Sequence, residues 1–230
     1  KITEELLRKR SEHNECVLST LEEISLHQQD LEKIENLDVY CRHLKILYLQ
    51  NNIIDKIENL NKLKELEYLN LAVNCVSMIE GLDKCESLNK LDLTMNFIDL
   101  EDFKESIDNL AKCPNIMEIY LVGNPAANWD KHRDYIIAKV ESIVMIEGKE
   151  VVKSERIKAK QNLVDMELEL QRISEANIIK KQIEIPDENA YTKEYRKKLY
   201  KELEEEKIKN EKEKEKGKTN SPYWNELDYN

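Results

Sequence analysis

Nine residues, LKILYLQNN from Leu44 to Asn52, return as LEYLNLAVN from Leu66, LNKLDLTMN from Leu88 and IMEIYLVGN from Ile116. A weaker copy, LEEISLHQQ, opens at Leu21 and carries Gln29 in the final slot. The five starts are separated by 23, 22, 22 and 28 residues. A unit this short cannot bury its own apolar edge, so the chain must stack its copies and build one continuous core from neighbour to neighbour. The fourth slot holds Ile24, Leu47, Leu69, Leu91 and Ile119, and the sixth holds Leu26, Leu49, Leu71, Leu93 and Leu121. Spacing by two directs both slots to one side of a short strand, facing the core. Stacked strands of this kind form a parallel sheet.

The ninth slot holds Asn52, Asn74, Asn96 and Asn124. There the chain leaves the strand, and backbone groups lose their ladder partners. A buried amide carries both donors and an acceptor, so an asparagine ladder is expected to serve those groups in adjacent coils. Gln29 is expected to do so less well, since its longer side chain must be ordered. The return segments place Ile54, Ile57, Leu60 and Leu63, then Val76, Ile79, Leu82 and Cys85, three apart. That period matches 3₁₀ turns. The fourth return segment, IDLEDFKESIDNLAKCP, is longer and has room for a helical turn or two. These features predict an α/β fold, a leucine-rich-repeat solenoid of the 22-residue type.

Open solenoid ends must be covered. Residues 1–20 are expected to form an N-terminal capping helix, with Thr3 as N-cap and Glu4 and Glu5 in the first turn. Residues 21–125 hold the five repeats, and 126–150 form the cap. In the cap, Pro125 ends the ladder, HRDYIIAKV reads as a helix, and Ile143 and Met145 begin an irregular edge. Residues 151–185 are expected to be a helical extension, because Ala159, Leu163, Met166, Leu170 and Ile173 follow a two-heptad stripe. That stripe is short for a coiled coil and is expected to pack on the solenoid or on a partner. Residues 186–230 are expected to be a charged helical or disordered tail. In it Tyr191, Tyr195, Leu199 and Leu203 recur every fourth residue, an alternating-charge run follows, and SPYWNELDYN closes the chain as a docking motif or a plain end.

Charge narrows the partners. The net charge of −11 lies wholly in residues 1–150, while 151–230 balance. An acidic solenoid repels phosphate backbones, so direct nucleic-acid binding is disfavoured and a basic protein partner is favoured. No apolar run approaches the roughly 18 residues of a membrane span. The start KITEELLRKR is charged throughout, unlike a signal peptide. Opening on lysine, the chain is expected to be a fragment of a soluble intracellular protein. Of the five cysteines, Cys41, Cys85 and Cys113 each lie three residues before the next repeat, a slot that Leu63 fills in the second. They are expected to pack in the core as small apolar thiols, with no metal, cofactor or disulfide. His13, His27, His43 and His132 have no paired nucleophile, so no catalytic site is expected.

The outward strand positions define the concave face, where a partner is expected. The third slot holds Glu23, Ile46, Tyr68, Lys90 and Glu118, and the fifth holds Ser25, Tyr48, Asn70, Asp92 and Tyr120. His27, Gln50, Ala72, Thr94 and Val122 lie beyond them. Tyr48, Tyr68 and Tyr120 among Asn70, Asp92, His27 and Gln50 suit a protein or helix partner, because tyrosine concentrates binding energy.

The cap resembles the leucine-rich-repeat cap, on Arg133, Tyr135, Ile136, Ile137, Val140, Ile146 and Gly148, and departs from it at His132, Glu141 and Glu147. Together ITEELLRKRSEHNE, LEEISLHQQDLEKIENLD, LKILYLQNN, LEYLNLAVN, LDLT-NFI and GKEVVKSERIKA resemble the tilB-type, or seahorse, proteins over roughly residues 1–160. The resemblance implies a non-enzymatic assembly factor for axonemal dynein arms, with dynein chains, other assembly factors or chaperones as partners. It implies a monomer acting in the cytoplasm, with the cilium or flagellum as a further location. Members also carry a β-sandwich resembling small co-chaperones, for which these residues have no counterpart. Two other readings of the repeats stay open: a phosphatase regulatory subunit of the 22-residue class, and a spliceosomal A-prime-like scaffold that holds an RNA-binding partner.

Overall fold

A computed structural model describes residues 1–183 and 191–219. The chain divides into two compact units, residues 1–190 and 191–230. In the first, strands β1 (Glu23–Ser25), β2 (Ile46–Tyr48), β3 (Tyr68–Asn70), β4 (Lys90–Asp92), β5 (Glu118–Tyr120), β6 (Met145–Ile146) and β7 (Lys149–Glu150) form one sheet in chain order. The first six pair in parallel with their slots in register, so that Ile24, Leu47, Leu69, Leu91, Ile119 and Ile146 lie side by side. Every inward fourth- and sixth-slot residue of the five repeats is buried, as are the return-segment positions Ile54, Ile57, Leu60 and Leu63.

Each ladder asparagine joins two coils. Asn74 donates to the carbonyls of Leu49 at 2.9 Å and Leu71 at 3.0 Å, and its Oδ1 accepts the N–H of Ile54 at 3.0 Å. Asn52, Asn96 and Asn124 repeat this pattern. Gln29 instead turns its amide onto the carbonyls of His27 and Gln28, its own neighbours. One slot earlier, Gln28, Asn51, Val73, Met95 and Gly123 all adopt left-handed backbone, with φ between 52° and 78°. This bend aims the following asparagine inward. A second amide column lies behind the first: Asn36 donates to Ile2 O and Asn59 to Ile34 O, both at 2.7 Å and both from left-handed backbone. Gly81 holds that slot in the third repeat at φ +68°, where a Cβ would come within 2.5 Å of Ile57 O.

Several expectations about secondary structure require correction. The N-terminal helix α1 (Glu4–Arg10) is capped by Thr3 but ends at Ser11. Left-handed Glu15 and Cys16 break any continuation, and residues 11–20 form two 3₁₀ turns instead. The first return segment contains a short helix, α2 (Leu37–Tyr40). The second and third each make a single turn of the expected 3₁₀ type, closed by Leu63 N–H on Leu60 O and by Cys85 N–H on Leu82 O. The fourth contains three full turns in α3 (Leu100–Leu110), because the Asp99 side chain caps the N–H groups of Glu101 and Asp102. The final edge is regular: β6 extends the parallel sheet, and β7 returns antiparallel after a two-residue turn at Glu147 and Gly148, both left-handed.

Beyond the hairpin run α5 (Lys153–Gln161) and α6 (Leu163–Ile183), separated at Asn162. The heptad stripe is therefore not a coiled coil. Ala159, Met166 and Leu170 are buried against the repeat core, and Leu163 and Ile173 pack beside it. In the second unit, α7 (Lys193–Thr219) is helical through the charge run and leaves Tyr195, Leu199 and Leu203 exposed, with Tyr191 just ahead of it. Pro186 and the SPYWNELDYN segment lie outside the described residues.

Candidate partner-binding surface

The strands of the five repeats are only three residues long, so each repeat presents two outward side chains from its strand and a few more from its flanks. Tyr48 and Tyr68 stand on adjacent strands with ring centroids 5.6 Å apart, nearly perpendicular. Their edge-to-face contact contributes about 0.5–1.5 kcal/mol beyond area burial. On the next strand the Lys90 ammonium lies 5.1 Å from the Tyr68 ring and 5.2 Å from the Tyr120 ring. It also pairs with Glu118 at 3.4 Å. The Tyr120 hydroxyl donates to that same Glu118, a bond that pushes the phenol up to about 12.

The three tyrosines are thus not independent exposed rings. They form one half-buried row, with Lys90 as its centre. Sequence reasoning placed Lys90 on this face without assigning it a role. Its signal was a lone cation flanked by tyrosine and acid in the neighbouring repeats.

The other face residues serve the row or its rim. Asn70 donates to the Tyr68 hydroxyl at 3.0 Å and accepts the N–H of Ala72. Asp92 accepts the N–H of Thr94 at 2.9 Å. His27 bonds Ser25 through Nδ1 at 2.8 Å, at the opposite end from the cap. Gln50 is half-buried, and its Oε1 has no hydrogen-bond partner among the described residues. At the cap end the rim is apolar, with Met95, Met117, Val122 and Val144 exposed.

The cap holds this face in place from behind. Arg133 donates to Ile146 O and Glu150 O, and its other N–H groups meet Glu155 at 2.7 and 3.2 Å. That contact holds the Glu155 carboxyl below its ordinary range. Arg156 donates to the carbonyls of Ile137, Val140 and Ile143, satisfying the C-terminal end of α4 (His132–Lys139). Tyr135 is fully buried and packs with Phe103 and Trp129, all centroids within 6.5 Å. The Trp129 indole donates to Glu169 of α6 at 3.0 Å. Tyr135 was named from sequence as a cap residue, but Arg156, Phe103 and Trp129 were not, because no repeat periodicity marks residues used only once. Gly148 completes the hairpin turn at φ +71°.

The thiols of Cys41, Cys85 and Cys113 are buried, and burial pushes them up to about 11, 12 and 11 respectively. Two of them donate to carbonyls of the preceding coil: Cys85 reaches Leu60 O at 3.6 Å and Cys113 reaches Leu82 O at 3.5 Å. Among the described residues no helix is long and apolar enough to cross a membrane.

Comparison with known proteins places this geometry. A family model described as leucine-rich repeat matches residues 1–170. The human protein named dynein axonemal assembly factor 11 is 54% identical over 180 residues, covering 78% of this chain and 38% of its own length. Protein tilB of Drosophila melanogaster is 56% identical over 162 residues, covering 70% of this chain and 40% of its own. A Trypanosoma brucei brucei protein, also named dynein axonemal assembly factor 11, is 43% identical over 166 residues, 72% and 43% of the two chains. This chain thus spans about two fifths of the length of these relatives. Among solved structures, the crystal structure of the Drosophila melanogaster SNF/U2A′ complex contains a similar chain. It has a TM-score of 0.62 and 23% identity, covering 73% of this chain and 98% of that one, a likeness of fold alone.

Proposed function

Since this chain belongs to the leucine-rich-repeat family, we propose that it is a non-catalytic protein-interaction scaffold in the assembly of axonemal dynein arms. One observation carries the reading. Identity of 54% to a protein named as an assembly factor runs over 180 residues, longer than the repeats and cap together, so it extends into the helices behind the cap. A shared repeat alone would not require that.

The scaffold acts in the cytoplasm of cells that build motile cilia or flagella, and works as a monomer. Its concave face, with Tyr48, Tyr68 and Tyr120 braced by Lys90, receives a protein: another assembly factor, a chaperone or a dynein chain. Nucleic acid is not a direct ligand, because the acidic repeat unit repels phosphate.

The test is affinity purification of the tagged full-length protein from cells assembling cilia, followed by mass spectrometry. The expected result is recovery of dynein chains or their assembly factors, with expression confined to such cells. Recovery of spliceosomal or phosphatase subunits from every cell type would overturn the reading.

A further inference from the structure

The geometry points to a cationic amphipathic helix of a protein partner as the occupant of the concave face, an assignment that rests on the scaffold reading above. Six acids line this face across β1–β6 and their flanks: Glu22, Glu23, Glu67, Asp92, Glu118 and Glu147. Two lysines stand among them, with His27 beside β1, and both lysines are engaged within the face. Lys45 pairs with Glu22 at 2.8 Å and Lys90 with Glu118 at 3.4 Å. Glu147 is turned to the backbone N–H of Leu121. Glu23, Glu67 and Asp92 are left with no cation in contact among the described residues, beside the tyrosine row. Charge complementarity across an interface then calls for a positive partner.

Shape specifies the partner further. The sheet face is broad and its strands are already paired, so an incoming segment must lie across them. Five spacings of about 4.8 Å separate β1 from β6, close to the length of a helix of about 16 residues. Helix positions seven apart are separated by about 10.5 Å, close to two strand spacings, so cations in that register meet Glu23 and Glu67 together. The face also changes character along its length. The carboxylates left without a cation, Glu23, Glu67 and Asp92, lie between β1 and β4, whereas Met95, Met117, Val122 and Val144 are exposed toward the cap. A helix with its cations toward one end and apolar side chains toward the other fits in a single direction. The tyrosines, amphipathic and held by their neighbours, serve both halves.

The experiment uses the full chain and two fluorescent 16-residue peptides, a Lys/Leu amphipathic helix and its Glu/Leu twin, titrated by anisotropy at physiological salt. The cationic peptide is expected to bind at least about tenfold more tightly than its twin. Glu23→Lys/Glu67→Lys/Asp92→Lys is expected to abolish that preference. Glu32→Lys/Asp83→Lys/Glu105→Lys changes the net charge equally on exposed return-segment positions and is expected to bind as the native chain does. Circular dichroism checks that each variant is folded. Equal loss in both variants, or no preference between the peptides, overturns the assignment.

A second arm separates it from the scaffold reading, using the partner recovered by affinity purification. If Tyr48→Ala/Tyr68→Ala/Tyr120→Ala loses that partner while the face charge reversal retains it, the face stands and the cationic occupant falls. If both variants retain it, the face itself is the wrong site.

Discussion

The carboxylate of Glu147 accepts the backbone N–H of Leu121 at 2.6 Å. In earlier repeats the equivalent N–H finds the fifth-slot carbonyl of the next strand: Leu49 to Asn70 O, Leu71 to Asp92 O and Leu93 to Tyr120 O. Glu147 itself occupies that fifth slot, so its side chain replaces the carbonyl that the hairpin turn carries away.

Burial raises the Glu147 carboxyl above its ordinary range. A raised folded pKa means that the folded state favours the proton, so the charged form costs stability at neutral pH, and that cost disappears as pH falls toward the unfolded value. Glu147→Gln keeps an acceptor without the charge and is expected to melt at or above the native temperature at pH 7, with the advantage shrinking in acid. Glu147→Ala strands the Leu121 N–H and is expected to lose about 1–3 kcal/mol in denaturant titration. An alanine variant as stable as the native chain would remove the ladder role.

Glu155 responds in the opposite direction. Its hydrogen bonds from Arg133 lower its pKa, so its contribution is present above the unfolded value of about 4.3 and is lost as pH falls through the folded one. Glu155→Gln is expected to melt below the native chain at pH 7, with the gap closing below about pH 4. A gap that stays constant across this range would show that the Arg133 contact contributes nothing through charge.

Val73 is a β-branched residue at φ +56°, in a slot where other repeats place Asn51 and Gly123. Left-handed backbone costs a non-glycine residue about 1–2 kcal/mol, and asparagine tolerates it best among side-chain-bearing residues. Val73→Asn is expected to raise stability by about 1 kcal/mol, read as a shift in the denaturant midpoint at unchanged slope. A lowered midpoint would mean that valine packing outweighs the backbone cost.

Asn74 and Gln29 occupy the same slot with different reach. Truncating Asn74 leaves two buried carbonyls and one N–H without it, and Asn74→Ala is expected to lose about 2–4 kcal/mol. Gln29 bonds only its own half-exposed neighbours, so Gln29→Ala is expected to stay within about 0.5 kcal/mol. Thermal melts of the two variants side by side decide the matter, and equal losses would contradict the difference in reach.

What recurs in the sequence was legible, and what occurs once was not. The inward leucines and the asparagine slot announce themselves because the fold uses the same residue type at each turn. The left-handed slot is just as regular in structure, yet Gln28, Asn51, Val73, Met95 and Gly123 share no chemistry, so backbone geometry repeats there without a side-chain signature. Arg156 and Trp129 solve problems found only at the end of the stack: the unsatisfied carbonyls of α4 and the exposed flank of α3. The concave tyrosines were located correctly in register, but their bracing by Lys90 depends on distances between coils that spacing along the chain does not encode.

The reversal of strand direction at β7 closes the repeat ladder. A parallel stack ending on β6 would offer β1 of a second copy the same ladder that each repeat offers the next, and copies could then add head to tail without limit. An antiparallel final strand presents a bonding pattern different from the one each repeat offers the next, so β7 does not continue the repeat ladder. The same stop makes the interior modular. A coil inserted or deleted between β2 and β4 changes the span of the binding face by one strand width, while both terminators keep their own contacts.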